Sequence, residues 1–316
     1  KNYMLHNPND VAVDEDGNIY ICDGGNQRVQ KFDKTGKYVC TIGRRGEGPG
    51  EFLHPWSVFI NDQDELLVSS YRPTSIFDRN GNFLRNFGKK SGGIFLENNT
   101  IARDGHLGLN KNEIEKEIKD IETARRILKK LPLVNILDYN LNTVAKIGRI
   151  EIPEDESFTD FYNHYFIAAD RDNNYYLTRE VRNLVEKYAP DGTLLFKATR
   201  PIELKESKEM QTIVSKGVGT YLYNKISNII KLDGKKRIWV ETYRRPYTLE
   251  ERLKHYNTLE APDIICYDIF NSDGVFLQRI PWEDGISRRL VHIEGDRMFF
   301  ISWKYECVYE YKIVKN

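Results

Sequence analysis

The chain has 316 residues, 40% hydrophobic and 30% charged, with 47 basic side chains balanced by 47 acidic ones. This composition excludes gross disorder, and the neutral balance argues against nucleic acid or an anionic membrane as an electrostatically driven partner. No run of about 18 apolar residues occurs, so no membrane-spanning helix is predicted.

Length alone allows one domain or two, since closed all-β folds often exceed the usual domain size as one unit. The 19 Tyr, 15 Phe and 4 Trp lean towards pleated strands, where aromatic side chains fit well. Residues 1–5 run straight into repeat sequence without a signal peptide. The opening Lys1 reads as a processed or trimmed chain, which points to an exported protein with its signal removed. Cys22, Cys40, Cys266 and Cys307 form no CxxC pair. They read as four strand thiols, with one or two disulfides as the alternative.

The first repeat spans residues 11–43. Asp16-Gly17-Asn18 and Lys34-Thr35-Gly36 are turn signals between short alternating strands, giving four strands A to D. Val58 opens the next unit 47 positions after Val11, which is a propeller-blade period. Looser inner hairpins follow from Ile101, Ile167, Ile229 and Val291, and outer hairpins at Leu137–Asn140, Tyr188–Gly192 and Ile269–Gly274. Six inner hairpins predict an all-β, six-bladed β-propeller occupying residues 1–316 as one domain. Its blades fall near 11–43, 58–88, 101–148, 166–199, 227–281 and 289–314.

Residues 11–60 carry the most specific pattern. Val13-Asp14 and Gly17–Tyr20 are followed by Asp23, Asn26 and Arg28–Asp33, then by Gly46, Gly48 and Gly50–Phe52, then by His54-Pro55. This stretch resembles NHL repeats and is similar to six-bladed propellers of exported bacterial proteins. The resemblance implies a propeller fold, but the family includes interaction scaffolds, RNA-binding domains, lyases and lactonases, so it leaves function open.

Three segments interrupt the period and are expected to be helical. In 111–131, Ile114, Ile118, Ile121, Leu128 and Leu131 form one stripe. Residues 203–216 form a weaker candidate, and 248–259 open on a Thr248/Glu251 capping box. By strand alternation all three fall on the B–C and D–A face. Arg28, Arg72, Arg179, Arg182, Arg244 and Arg245 occupy B–C loops on that face and are candidate ligand-binding residues. Capping one end of the channel is the alternative role for the helices.

Asp14–Asn18 looks like the start of a calcium loop, but an EF-hand would need Glu where Gly25 stands. Similar acidic turns recur at Asn61–Asp64 and Asp170–Asp172, so a repeated turn explains them better. The glycines between Gly43 and Gly50 lack the Gly-Lys-Ser/Thr ending of a phosphate loop and read as a D–A connector. His54 and His164 precede first strands and are metal-ligand candidates only for an alternative reading, a metal-dependent lyase or hydrolase at the channel mouth. No Ser-His-Asp spacing stands out.

Blades 1 to 5 each encode a fourth strand, whereas blade 6 stops after a third over Cys307–Val314. Upstream residues could supply the missing strand, or the blade could be three-stranded. Alternatively, the edge Val308, Tyr309, Glu310, Tyr311, Lys312 and Ile313 could accept a strand from another copy, giving oligomers or filaments. The favoured function is non-enzymatic binding of a protein or glycan by the loop face, with no catalytic residue and no cofactor expected.

Overall fold

A computed structural model describes residues 4–71, 73–87, 94–96, 100–104, 121–154, 159–207, 211–215, 218–246, 248, 264–281, 289–302 and 304–314. Blade 1 consists of β1 (Pro8–Val13), β2 (Ile19–Asp23), β3 (Arg28–Phe32) and β4 (Tyr38–Ile42). Two short parallel strands, β5 (Arg44–Arg45) and β6 (Glu51–Phe52), follow in the connector. Blade 2 is β7 (Ser57–Ile60), β8 (Leu66–Ser69), β9 (Thr74–Phe77) and β10 (Phe83–Phe87). Blade 3 is β11 (Ile94–Leu96), β12 (Thr100–Asp104), β13 (Val134–Asp138) and β14 (Thr143–Ile147). It opens before Ile101, the start read from sequence.

Blade 4 is β15 (Tyr165–Ala169), β16 (Tyr175–Arg179), β17 (Val185–Tyr188) and β18 (Leu194–Ala198). A hairpin of β19 (Gln211–Ser215) and β20 (Val218–Leu222) precedes blade 5. Blade 5 is β21 (Ser227–Leu232), β22 (Ile238–Tyr243), β23 (Ile265–Phe270) and β24 (Phe276–Pro281). Blade 6 is β25 (Arg289–Glu294), β26 (Arg297–Ser302) and β27 (Cys307–Lys312). In every blade, strands pair antiparallel in chain order, and the six sheets are the blades of a β-propeller.

The insertions differ from expectation in one place. The described residues of 203–216 are not helical: Gln211–Ser215 is a strand paired with Val218–Leu222. The β-branched run Thr212-Ile213-Val214 disfavours a helix and suits a pleated strand. Within 111–131, Ile121–Leu128 is helical, and Leu128 and Leu131 pack on the core below it. A short helix at Thr159–Tyr162 was not anticipated. The 248–259 expectation lies outside the described residues, apart from Thr248. Among the described residues, no helix is long and apolar enough to cross a membrane.

The chain divides into two compact units. Residues 1–92, 97–99 and 286–316 form the first; residues 93–96 and 100–285 form the second. The period of two along a strand explains both cores. In the first unit, Tyr20 and Cys22 of β2 join Val58, Leu66, Val68 and Phe77 of blade 2. Their neighbours Ile19 and Ile21 point the other way, onto Val291, Phe299 and Ile301 of blade 6. In the second unit, Tyr175 and Leu177 of β16 face Val134, Ile136 and Ile147, while Tyr176 faces Ile230, Val240 and Phe270. Inner strands are therefore apolar on both sides and fully buried, as in β2, β16 and β22.

The hairpin turns are built from one repeated device. Asp14, Asn61, Asp170 and Asp233 each accept the backbone N–H four residues on, at 2.8–3.0 Å, through a side-chain oxygen. In three blades the other oxygen takes an aromatic donor six residues on. These donors are the Tyr20 and Tyr176 hydroxyls at 3.0 and 2.9 Å and the Trp239 indole at 2.9 Å. The acidic turns thus spend their carboxylates on the hairpins themselves.

Blade 6 departs from its siblings. The third strands of blades 1, 2, 4 and 5 are mostly or wholly buried, as in β9 and β23. The third strand of blade 6, β27, has no buried residue, and Glu310, Tyr311 and Lys312 are exposed. Its exposure is that of an outer strand. Side-chain pairs reach inward: Glu310 with Arg297 at 2.7 Å, Lys312 with Asp296 at 3.3 Å, and the Tyr311 ring edge-on to Phe300.

Candidate functional site

At the B–C and D–A end of the first unit, four non-glycine residues adopt left-handed backbone. Asn7 has φ 47°, Gln27 59°, His54 50° and Glu306 49°. This region is sparsely populated by residues with a Cβ and is stabilised only where surrounding contacts impose it. Those contacts are visible. The His6 N–H donates to Asp23 Oδ1 at 2.7 Å, and the Gly25 N–H donates to the His6 carbonyl at 2.8 Å. Asn26 and Arg28 both donate to the Met4 carbonyl, at 3.1 and 2.9 Å. The His6 imidazole also meets the Glu306 carboxylate of blade 6. Gly25 is required here, because a Cβ would lie 2.4 Å from the His6 ring and 2.6 Å from its carbonyl oxygen.

The same end carries a group of exposed rings. The His54 N–H donates to Gln27 Oε1 at 3.0 Å, which links blade 1 to the connector. Tyr71, 73% exposed, meets His54 at 5.4 Å and Trp56 at 5.5 Å between ring centroids, both edge to face. Tyr305 is also exposed, with Lys304 over its ring.

The corresponding end of the second unit is ionic. Glu180 is buried; its carboxylate meets His164 Nδ1 at 2.8 Å, the Lys225 ammonium and, at 3.4 Å, the Tyr223 hydroxyl. Burial pushes this carboxyl up, but His164 and Lys225 outweigh it and hold Glu180 below the usual range. Arg182 pairs with Glu151 and Glu206 and lies over the Tyr162 ring. Arg179, also buried, donates to the Arg149 carbonyl at 2.9 Å and approaches Glu151 at 3.3 Å.

Among the arginines named from sequence, Arg28 is committed to Asp23 at 2.8 Å and to Met4. Arg179 and Arg182 belong to the Glu151 network. Arg244 is exposed and Arg245 half-buried, with Arg245 Nη1 donating to the Pro246 carbonyl at 3.2 Å. Arg72 lies outside the described residues. His54 stands in the first unit against Tyr71, and His164 in the second against Glu180. No group of three or more metal-ligating side chains occurs among the described residues. All four cysteines are free, and burial pushes Cys266 up to about 12.

Sequence reasoning missed Trp56, Tyr71 and the fully buried Arg200. Trp56 immediately precedes β7, directly after His54-Pro55, and Tyr71 lies in the loop between β8 and β9, directly before Arg72-Pro73. An aromatic residue beside a proline-marked loop was the available signal.

Residues 2–72 match DUF5128, a family described as a 6-bladed beta-propeller. The chain is 32% identical over 85 residues to Protein brain tumor of Drosophila melanogaster, which covers 26% of this chain and 8% of that protein. A solved member of the DUF4221 family from Bacteroides vulgatus superposes with TM-score 0.57 at 11% identity, over 98% of this chain and 94% of that one. A candidate exported protein from Bacteroides fragilis superposes with TM-score 0.53 at 13% identity, over 94% and 79%. At such identities the solved structures are similar in fold alone. The repeat pattern, the six sheets and the sequence matches agree that this chain is an NHL-like six-bladed β-propeller.

Proposed function

We propose that the chain is a non-enzymatic binding scaffold that recognises a protein or glycan through the B–C and D–A end of its blades. The observation that carries this reading is the set of left-handed residues Asn7, Gln27, His54 and Glu306 gathered at that end of the first unit. Backbone held in an unfavourable region by hydrogen bonds is a pre-organised surface, and pre-organisation lowers the cost of binding. The test is an array of defined glycans and peptides probed with the full chain. Tyr305→Ala and Lys304→Ala at this end of the first unit are compared with Lys34→Ala and Lys37→Ala at its other end. Binding weakened about tenfold by the first pair alone is the expected result. Equal losses from both pairs, or no ligand on the array, overturn the reading. Export is part of the proposal, and recovery of the native protein from the cytoplasm in cell fractionation counts against it.

A second reading rests on β27, which has no buried residue although the strand holds a third-strand position. We propose that Val308, Tyr309, Glu310, Tyr311, Lys312 and Ile313 accept a fourth strand from a second copy. Light scattering after size exclusion should show concentration-dependent oligomers that Tyr309→Pro abolishes. A monomer at high concentration sinks this reading.

A further inference from the structure

We infer that His54, Trp56 and Tyr71 form a stacking platform for a pyranose ring of a neutral oligosaccharide. This inference rests on the loop-end reading above and gives it a ligand class. Three rings lie together in solvent, with Tyr71 inclined 65° to His54 and 61° to Trp56. Several other large aromatics are buried instead, with Tyr20, Tyr175, Tyr176 and Tyr267 all below 2% exposure. Tyr71 and Trp56 contribute little to that core, and clustered exposed rings mark an interaction surface.

The platform is built rather than incidental. The Tyr71 N–H donates to the Leu53 carbonyl and the Trp56 N–H to the Ser69 carbonyl, each at 3.0 Å. The Asn9 amide donates to the Pro55 carbonyl at 3.0 Å, and the His54 N–H to Gln27 Oε1 at 3.0 Å. Four hydrogen bonds therefore fix the backbone beneath the rings, and little ordering remains for a ligand to impose.

The chemistry of the surroundings selects the ligand. The Arg28 guanidinium at this end is committed to Asp23 and to the Met4 carbonyl. The Gln27 amide is linked to His54 there, so an amide and an imidazole share this end. A neutral sugar suits the lining: its C–H face packs on the negative face of an aromatic ring, and its hydroxyls exchange hydrogen bonds with amide and imidazole.

The experiment is calorimetric titration of the full chain with maltoheptaose, cellohexaose, xylohexaose, mannohexaose and chitohexaose, following Trp fluorescence in parallel. Saturable binding to at least one is expected. Tyr71→Ala should weaken it about tenfold and Tyr71→Phe about threefold or less, with unchanged thermal melts. Binding that survives Tyr71→Ala but is lost in Tyr305→Ala overturns the platform and leaves the loop-end scaffold standing. Binding indifferent to both variants overturns both. No binding to any of the five sugars, or a peptide competing at Tyr71, overturns the sugar platform and leaves protein recognition to the scaffold.

Discussion

The Arg200 guanidinium donates to Ser227 Oγ at 2.7 Å, with both side chains out of solvent, and so clasps the end of blade 4 to the first strand of blade 5. It also donates to Thr242 Oγ1 and Asn183 Oδ1 at 3.0 Å and to the Arg182 carbonyl at 3.3 Å. Burial pulls its pKa down to about 10, against the pull of Asp268, whose carboxylate is 4.0 Å away. Removing the donor strands buried acceptors. Arg200→Met should cost about 3 kcal/mol in urea denaturation, with Arg200→Lys little better because an ammonium cannot reproduce the planar fork. A loss below about 1 kcal/mol would refute the clasp.

Glu180 sets an acid limit on the second unit. Its folded pKa lies below the ordinary 4.5, with burial opposing and His164 and Lys225 producing the shift. A depressed carboxylate adds stability above its unfolded pKa, and that stability is lost as pH falls through the lower folded value. Glu180→Gln should therefore be less stable than wild type at pH 7 and converge with it below pH 4.5, the ordinary value for this group. Thermal melts across that range check this, and parallel curves would contradict it.

The turn carboxylates serve structure. Tyr176→Phe removes the hydroxyl that donates to Asp170 Oδ2 at 2.9 Å and should cost about 1–2 kcal/mol. Asp170→Ala also removes the acceptor of the Asn174 backbone N–H and side-chain amide and should cost more. Millimolar calcium should leave the melting temperature of wild type in place; an upward shift would return these turns to the list of cation sites.

Gly25→Ala places a methyl against the His6 ring and carbonyl oxygen. The segment Met4–Asn7 should lift away, exposing Met4 to limited proteolysis and lowering the melting temperature by several degrees, about 1–2 kcal/mol. Unchanged cleavage kinetics would show that the contact is dispensable.

Much of the fold was legible because its signals are local. Outer strands at Tyr38–Ile42, Phe83–Phe87 and Thr143–Ile147 stand where turn residues and alternation put them. The segment at Ile94–Leu96 was not legible, because three residues are too few to show a period. Residues 203–216 misled through a helix-like start, Glu203-Leu204-Lys205-Glu206, while the β-branched residues that decide the outcome follow at 212–214. The candidate site was less readable still. The arginines on the loops could be enumerated, but that Arg28 is bound to Asp23 and Arg182 to Glu151 depends on tertiary pairing. The left-handed state of Gln27 and His54 carries no composition signal, since neither is glycine.

The core that Val11, Val13, Ile19 and Ile21 share with Val291, Phe299 and Ile301 has a consequence for synthesis. A ribosome releases blade 1 about 250 residues before its partner strands open at Arg289. The second unit, drawn almost wholly from residues 100–285, has all its blades in hand before then. Blade 1 must wait with one apolar face uncovered, because the contacts that cover it span almost the whole chain and close slowly. The nascent protein is thus exposed to aggregation at blade 1, and the strands of blade 6 are the ones that relieve it.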